Sequence, residues 1–286
     1  MKTIWIVPLF ALLVCSGCNQ YKTNQTTPQV TPKGIKYNST KITQTPDLLE
    51  GPERAIRNPH PLSLADLRTK YKSTFLLSGP SSKREVALTF DDAPDDKFTP
   101  QVLDVLKSEG VKATFFLVGN RIEAHPEIVQ RMVNEGHVVG NHSYNHANLP
   151  KLSDANFRKQ VNKTDNIIRS ISGYTPKIIR PPYGNISEPQ IQWLASQHKK
   201  IVNWNVDSLD WKGLNAEQVK TNVLAQVHPG SIILQHAAGG TGEDLSGSVQ
   251  ALSDIIKKLR KDKVKLVTIP ELLDLPEGIH EHEKIQ

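Results

Sequence analysis

Short apolar runs alternate with segments of helical periodicity along most of the chain from Glu85 onward. Short runs of apolar and β-branched residues bounded by Gly, Pro or Asn are typical of buried strands. Longer segments that place apolar residues every three or four positions, and that begin at Ser, Thr, Asn or Pro, are typical of helices. The pattern predicts strands over residues 86–90, 113–118, 137–140, 178–179, 200–204, 231–234 and 264–268, and helices over residues 99–108, 125–135, 153–172, 189–197, 215–227 and 245–261.

This alternation of strand and helix favours a parallel sheet, either rolled into a barrel or open and doubly wound. Five polar clusters decide between the two, because each follows a different predicted strand. In a barrel, the carboxyl ends of many strands converge on one site, whereas an open sheet concentrates its site at one switch point. We therefore predict an α/β fold: a distorted (β/α) barrel of about seven parallel strands with an N-terminal extension. The clusters contain Asp91, His142, Arg180, Asp210 and His236.

The first residues are typical of a targeting signal. Lys2 precedes an apolar stretch over residues 4–14, which is too short to span a bilayer and suits a secretory signal. The Ser-Gly-Cys ending at Cys18 resembles a bacterial lipobox, so we expect cleavage after residue 17 and lipidation of Cys18. Ordinary secretion is the alternative, because Cys15 stands where a lipobox usually has leucine. Since no cysteine follows Cys18, we expect the mature protein to have no disulfide.

Changes in composition divide the remainder of the chain. Residues 18–47 are rich in Thr, Gln, Asn, Lys and Pro and show no sustained periodicity, which predicts a disordered tether. Residues 48–84 have a mixed pattern with a short predicted helix near residues 64–71, and we assign them to an N-terminal extension. The main domain is predicted over residues 85–275, and residues 276–286 form a tail.

Composition and charge narrow the class of partner. Hydrophobic residues make up 37% of the chain and charged residues 22%, which is ordinary for a globular protein. The net charge of +6 is a moderate excess that favours anionic surroundings, such as acidic cell-wall polymer or lipid headgroups. Nucleic acid is not an expected partner, because no dense basic run is interleaved with aromatic residues.

Two histidines four residues apart, His142 and His146, suggest a metal site. On a single helical turn both rings would point to one side and could hold one ion. A carboxylate from Asp91 or Asp92 would complete a set of two histidines and one carboxylate, with open positions for water and substrate. Zinc hydrolases use such a set, and iron oxygenases use the same ligands. The sequence shows no co-substrate motif that would favour an oxygenase.

The other clusters supply groups suited to hydrolysis. Adjacent side chains on a strand point opposite ways, so one of Asp91 and Asp92 could bind metal while the other acts as a base. His236 could protonate a leaving group, and we expect Arg180 and Asp210 to form a pair that fixes the base. Each feature alone has an ordinary explanation, such as a turn, a salt bridge or core packing. Together they predict a mononuclear metal hydrolase.

In this order and spacing, residues 89–94, 142–146, 180–184, 207–211 and 234–236 resemble the motifs of the polysaccharide deacetylases, the NodB-homology or carbohydrate esterase family 4 domain. The resemblance covers roughly residues 85–273 and implies a divalent metal, usually zinc and otherwise an ion such as cobalt, with removal of N- or O-acetyl groups from sugars. It implies the following roles: catalytic base, Asp91; metal ligands, Asp92, His142 and His146; orientation of the base, Arg180 with Asp210; oxyanion stabilisation by a backbone amide, Tyr183; pocket for the acetyl methyl group, Trp211 and Leu234; general acid, His236.

Two positions depart from the family pattern. Ala93 replaces a usual glycine, which would disfavour a positive-φ turn at that residue. Gln235 stands before His236, where the family generally has an apolar residue. Neither change removes a catalytic group, so we expect the protein to be active.

The sequence therefore predicts a monomeric, metal-dependent deacetylase, anchored by lipid outside the membrane and facing the cell wall. Its expected substrate is peptidoglycan, at either N-acetylglucosamine or N-acetylmuramic acid. Chitin-type oligomers and acetylated xylan are alternative substrates. A non-catalytic wall-binding lipoprotein is the rival hypothesis. Asp91 and His236 argue against that rival, because binding alone needs neither a base nor an acid.

Overall fold

A computed structural model describes residues 45–49, 51, 66–67 and 69–280 of the 286-residue chain. The predicted signal, Cys18 and the first part of the predicted tether lie outside these residues. Among the residues described, no helix is both long and apolar enough to cross a membrane.

Strands and helices alternate along the described chain, as the periodicity predicts. The strands are β1 (Phe75–Leu76), β2 (Glu85–Ala93), β3 (Thr114–Leu117), β4 (Val138–Asn141), β5 (Tyr174–Pro176), β6 (Ile178–Ile179), β7 (Lys200–Val202), β8 (Val206–Asp207), β9 (Ile232–His236), β10 (Lys265–Val267) and β11 (Gly278–His280). The helices are α1 (Thr99–Ser108), α2 (Gly119–Ala124), α3 (Pro126–Asn134), α4 (Asp154–Ser172), α5 (Glu188–Ser196), α6 (Ala216–Gln226), α7 (Ser246–Lys261) and α8 (Ile269–Leu273). Single 3₁₀ turns occur at Leu149–Lys151, Pro182–Gly184 and Asp210–Lys212.

Nine strands form one curled sheet in the order β1-β7-β6-β4-β3-β2-β9-β8, and β10 pairs with β2. The strand pairings in this sheet are parallel. An isolated antiparallel bridge between Ser78 and Ser231 brings the chain after β1 to the start of β9, so the sheet curls toward closure. The fold is thus an incomplete parallel barrel with helices around it, which confirms the predicted class.

Burial explains why the central strands read as continuous apolar runs. Eight of the nine residues of β2 are buried, because the sheet is covered by the barrel interior on one side and by helices on the other. Leu103 of α1 and Ile255 of α7 belong to the largest apolar cluster, which also includes Phe90 and Phe115 of the sheet. The sheet edge that carries the polar clusters is therefore supported by a closely packed apolar core.

Short strands and chain ends depart from the prediction. β1, β5 and β8 have two or three residues each, too few for an alternating pattern to be recognised. The predicted strand at 264–268 is not the last one, because β11 pairs antiparallel with β5 inside the predicted tail. Asp47, placed in the tether, instead accepts hydrogen bonds from the backbone nitrogen (3.1 Å) and hydroxyl (3.0 Å) of Thr241. The chain is therefore fastened to the domain earlier than residue 48.

The five polar clusters do meet at the carboxyl ends of the parallel strands. Asp91 lies near the end of β2, and His236 is the last residue of β9, directly across from Asp91 in the register. His142 follows β4, Arg180 follows β6, and Asp210 lies three residues beyond β8. The prediction that different strands contribute to one face is confirmed.

Candidate active site

Asp92, His142 and His146 form a buried cluster that could hold one metal ion, with candidate ligand atoms within 4.8 Å of one another. Oδ1 of Asp92 lies 3.1 Å from Nε2 of His146 and 3.4 Å from Nε2 of His142. The two imidazole centroids are 4.9 Å apart. Three ligand atoms from two chain segments thus point at one position, as the sequence predicts.

The two histidines do not lie on a helical turn, contrary to the expectation from their spacing. The segment after β4 is irregular, and Ser143 and His146 have φ angles of 65° and 59°, in the left-handed region. Asp92 has a φ of 67° as well. Non-glycine residues in this region are uncommon and cluster at functional sites, where the surrounding structure holds the strain. The spacing brings the rings together, but through a strained loop.

Ala93 does not occupy the positive-φ position that the family glycine suggests. The left-handed residue is Asp92, while Ala93 is the last residue of β2 and its methyl group is fully buried in the apolar core. A methyl group is accommodated at this position without a left-handed backbone.

A contact at Nδ1 fixes the orientation of each imidazole. Nδ1 of His142 lies 2.7 Å from the carbonyl oxygen of Arg180, and Nδ1 of His146 lies 3.0 Å from the hydroxyl of Tyr183. These contacts turn each Nε2 toward Asp92, which is the arrangement usual for metal-binding histidines. Both carboxylate oxygens of Asp92 and Nε2 of His142 are buried without a hydrogen bond in the described part of the chain. Buried carboxylate oxygens and an imidazole nitrogen of this kind are suited to binding a metal cation.

Electrostatics keep the Asp92 carboxylate ionised. Burial raises the pKa of Asp92, but His146 and His142 together outweigh burial and hold that pKa below its usual range. An ionised carboxylate beside two imidazoles is a donor set typical of zinc and of other divalent first-row metals.

Asp91 stands beside this cluster and is fixed by Arg180. Its Oδ1 accepts a 2.7 Å bond from Nη1 of Arg180, while its Oδ2 lies 3.8 Å from Nε2 of His142. Arg180 is fully buried and also donates to the hydroxyl of Thr89 (2.8 Å) and the carbonyl oxygen of Val202 (2.8 Å). One carboxylate oxygen of Asp91 is thus anchored, and the other faces the candidate metal position.

Asp210 pairs with His236 and not with Arg180, which corrects the sequence-based pairing. Oδ1 of Asp210 lies 2.8 Å from Nδ1 of His236, and its Oδ2 accepts from the backbone nitrogen of His236 at 2.8 Å. Burial raises the pKa of Asp210, but His236 outweighs burial and the pKa is lowered. An ionised carboxylate on Nδ1 directs Nε2 of His236 into the site, the orientation that a proton donor needs.

Ser248 and Gln235 extend this pair into the core. The hydroxyl of Ser248 donates to Oδ2 of Asp210 at 2.6 Å, and it accepts from Nε2 of Gln235 at 3.1 Å. Gln235, the second departure from the family pattern, is therefore part of a buried hydrogen-bond chain that ends at His236. Neither the Gln235 contact nor Ser248 was predicted, because α7 carries Ser248 with no recognisable motif.

Tyr183, Trp211 and Leu234 lie around the same site. Tyr183 has a left-handed backbone with a φ of 61°, and its ring stands edge-on to His146, with ring centroids 4.6 Å apart. Trp211 is mostly buried, and its backbone nitrogen donates to Oδ1 of Asp210 at 2.9 Å. Leu234 is buried in β9, paired with Thr89. Their expected roles in holding the acetyl group remain predictions.

Arg121 was missed by the sequence analysis, although it is almost completely buried beside the cluster. Its guanidinium donates to the carbonyl oxygens of Asp92 (3.0 Å), Gly239 (2.7 Å) and Pro46 (3.1 Å). It thereby joins the end of β2, the loop after His236 and the N-terminal segment. An arginine at the start of a short helix carries no sequence signal for such a role.

The chain is similar in sequence to known deacetylases. Residues 78–201 match the family described as polysaccharide deacetylase. A peptidoglycan-N-acetylglucosamine deacetylase of Bacillus cereus is 50% identical over 201 residues, which cover 70% of this chain and 72% of that protein. A peptidoglycan-N-acetylmuramic acid deacetylase of Bacillus subtilis is 42% identical over 192 residues, covering 67% of this chain and 39% of that longer protein.

One solved structure is similar to this chain in both fold and sequence. It is a peptidoglycan N-acetylglucosamine deacetylase in complex with 4-naphthalen-1-yl-N-oxidanyl-benzamide, and it superposes with a TM-score of 0.72 at 47% identity. The match covers 74% of this chain and 98% of that one. The Asp92–His142–His146 cluster and its two neighbouring ion pairs therefore lie in a fold that this chain shares with the solved structure. The chain belongs to the polysaccharide deacetylase family of enzymes.

Proposed function

We propose that the protein hydrolyses the acetamido group of N-acetyl sugars in peptidoglycan, releasing acetate and leaving a free amine on the glycan. One observation carries the proposal: the Asp92–His142–His146 cluster lies between two ion pairs, Asp91–Arg180 and Asp210–His236. The first pair holds a carboxylate beside the cluster, and the second holds an imidazole. Amide hydrolysis needs a base for water and an acid for the amine, and the site offers both.

Asp92, His142 and His146 would hold a divalent cation, which we propose is zinc, with cobalt as a workable substitute. Bound there, the ion would polarise the acetyl carbonyl and acidify a water molecule. Asp91 would accept the proton of that water, since one of its oxygens is anchored and the other faces the cluster. The backbone nitrogen of Tyr183 would donate to the developing oxyanion.

His236 would complete the reaction by protonating the departing nitrogen. The carbon–nitrogen bond of the acetamide then breaks, acetate leaves with the oxygen of water, and the sugar keeps its amine. Asp210 would stabilise the imidazolium form of His236 before the proton is given up. Trp211 and Leu234 would bound the space for the acetyl methyl group.

The choice of peptidoglycan is supported by the relatives, whose names specify N-acetylglucosamine in one protein and N-acetylmuramic acid in another. A location outside the membrane, with the chain anchored at Cys18, would place the enzyme beside that polymer. Chitin-type oligomers and acetylated xylan share the acetyl group, and a direct comparison of substrates decides among them.

The test is acetate release by the chain lacking residues 1–18, which keeps every described residue. Peptidoglycan, chitin oligomers and acetylxylan are offered in turn, before chelation, after chelation and after zinc is restored. We expect release from peptidoglycan that chelation abolishes and zinc restores. Asp91→Asn should lower the rate on the order of 10²- to 10⁴-fold while zinc stays bound. A folded, zinc-loaded protein that releases acetate from no substrate would support the non-catalytic wall-binding role instead.

A further inference from the structure

A concentration of basic side chains surrounds the end of the sheet opposite the active site. The amino ends of β10, β2, β3 and β4, which are neighbours in the sheet, lie together with the carboxyl ends of α1, α3 and α7. β2 has nine residues at about 3.3 Å per residue, so the two ends of the sheet lie roughly 25 Å apart. The basic side chains surround one end, and the Asp92–His142–His146 cluster lies at the other. The following residues form what we call the basic rim: Lys83, Arg84, Lys107, Lys112, Arg131, Lys257, Lys258, Arg260, Lys261, Lys263 and Lys265.

Three of the five acidic residues of this end lie beneath cations. The carboxylate of Glu135 meets the ammonium group of Lys107 at 3.3 Å, yet the two side chains are 14% and 70% exposed. Glu109 and Lys257 are 3.6 Å apart at 14% and 66% exposure, and Glu85 and Lys265 are 3.3 Å apart at 17% and 68%. In these three pairs the carboxylate is recessed and the ammonium group projects. Asp104 is 70% exposed beside Arg131 at 31%, and Asp262 is 45% exposed beside Lys258 at 49%. The outermost layer is therefore mostly cationic, with two exposed carboxylates in it.

Charge is also unevenly divided between this end and the rest of the domain. Residues 69–280 contain 26 basic and 23 acidic side chains, an excess of three. The eleven residues of the basic rim have five acidic neighbours, an excess of six: Glu85, Asp104, Glu109, Glu135 and Asp262. The remainder of the domain is thus net negative. Cations are favourable at helix carboxyl ends, but this does not account for Lys83, Lys112, Lys263 and Lys265, which lie outside the helices.

The shape of the basic rim favours a planar partner. Its cations come from the amino ends of β2, β3 and β4, which span roughly 10 Å at about 4.8 Å between neighbours, from β10 paired with β2, and from three helices packed outside them. Because it lies at the opposite end from the catalytic groups, docking there leaves the active site open. We propose that the basic rim binds the phosphate headgroups of anionic phospholipids, so that the domain rests on the bilayer with its active site facing away from it.

The predicted N-terminal anchor is compatible with this orientation. Twenty-seven positions separate Cys18 from Thr45, where the described chain begins. By the number of residues alone, a linker of that length allows either end of the domain to face the membrane. One lipid signal combined with a polybasic surface is a recognised route to stable membrane association. The basic rim would then decide which end of the domain approaches the lipid.

Vesicle sedimentation tests the proposal with the chain lacking residues 1–18, so that no lipid anchor contributes. Vesicles of phosphatidylcholine are compared with vesicles containing phosphatidylglycerol, at low and high salt. We expect salt-sensitive binding to the anionic vesicles alone. Each rim lysine should contribute about fivefold to partitioning, so a variant with four of them neutralised should lose roughly 600-fold. That variant is Lys257→Gln, Lys261→Gln, Lys263→Gln and Lys265→Gln.

A matched variant removes four charges away from the basic rim: Lys97→Gln, Lys159→Gln, Lys163→Gln and Lys212→Gln. It should keep most of the binding, and melting curves should show both variants folded. Equal losses in the two variants, or no binding to anionic vesicles, would overturn the proposal. Tighter binding to soluble polyglycerol phosphate than to vesicles, at equal phosphate, would overturn it in favour of an anionic wall polymer. If the fourfold variant fails to fold, Lys261→Gln and Lys263→Gln alone should each show the fivefold loss.

Discussion

His137 gives the protein a pH-dependent stability that can be worked out from its surroundings. The side chain is buried at the amino end of β4, where its Nδ1 accepts a 3.1 Å bond from the backbone nitrogen of Ala113. Its ring meets Phe115 edge-on at 5.4 Å. Burial, with help from the nearby charge of Lys112, lowers the pKa of His137 to about 4. A proton on Nδ1 would also remove the acceptor that the Ala113 nitrogen needs.

The sign and size of the effect follow from the difference between folded and unfolded chains. The unfolded chain takes up this proton near pH 6.5, whereas the folded chain resists it until about pH 4. The stabilising contribution is therefore complete above pH 6.5 and is lost as the pH falls toward 4. At about 1.4 kcal/mol per pKa unit, the full loss is roughly 3 kcal/mol. Between pH 7.5 and pH 5 the loss is about 2 kcal/mol.

His137→Asn removes the titrating group while keeping an acceptor at nearly the same position. We expect its unfolding free energy to change between pH 7.5 and pH 5 by about 2 kcal/mol less than that of the unsubstituted protein. Urea denaturation at the two pH values measures this difference. Contributions from the histidines of the active site cancel, because both proteins contain them at the far end of the sheet. Identical pH dependence in His137→Asn and the unsubstituted protein would refute the reasoning.

Three further predictions concern the supports of the active site. Ser248→Ala removes a 2.6 Å bond to buried Asp210, so it should lower the unfolding free energy by about 1.5–3 kcal/mol. It should also lower kcat by a larger factor than it changes KM, and unchanged kinetics would contradict the role of Ser248. Arg121→Met leaves the carbonyl oxygen of Asp92 without this donor, so zinc affinity in chelator competition should fall about 10- to 100-fold; a folded variant with full affinity would oppose this. Asp47→Ala should cost about 1 kcal/mol in urea denaturation, and no loss would show that the N-terminal segment is not bound in solution.

Much of the fold was accessible from the sequence because long elements carry many repeats of their own period. Ser153 and Asn215 were expected to begin helices, and their side chains accept from the backbone nitrogens of Asn156 and Gln218. Residues 86–90 of β2 read as a strand because four of the five are apolar and all are buried, whereas Asp91 and Asp92, which extend the strand, have polar side chains. Strands of two residues, such as β1 and β8, are set by pairing with neighbours distant in sequence, and local pattern cannot reveal that.

The members of the candidate site were predictable, but their pairing was not. Spacing placed His142 and His146 near one another, yet it could not distinguish a helical turn from a loop with left-handed residues. Arg180 was expected beside Asp210, whereas the curl of the sheet brings it to Asp91 instead. Which of several opposite charges meet depends on strand order and twist. Those are properties of the whole sheet, and no single motif carries them.

The way the two ion pairs are divided along the chain has an evolutionary consequence. Arg180 and Asp91 both precede Val202, while Asp210 and His236 both follow it. A crossover with a relative near residue 204 would therefore pass each pair on intact from a single parent, and the metal ligands would all come from the first. The junction between the parents would include the pairing of β2 with β9, where Asp91 stands across from His236, and the pairing of β2 with β10. Recombination could thus exchange the acid-bearing segment among related enzymes while selection acted on the fit of β9, β10 and α7 against the first segment.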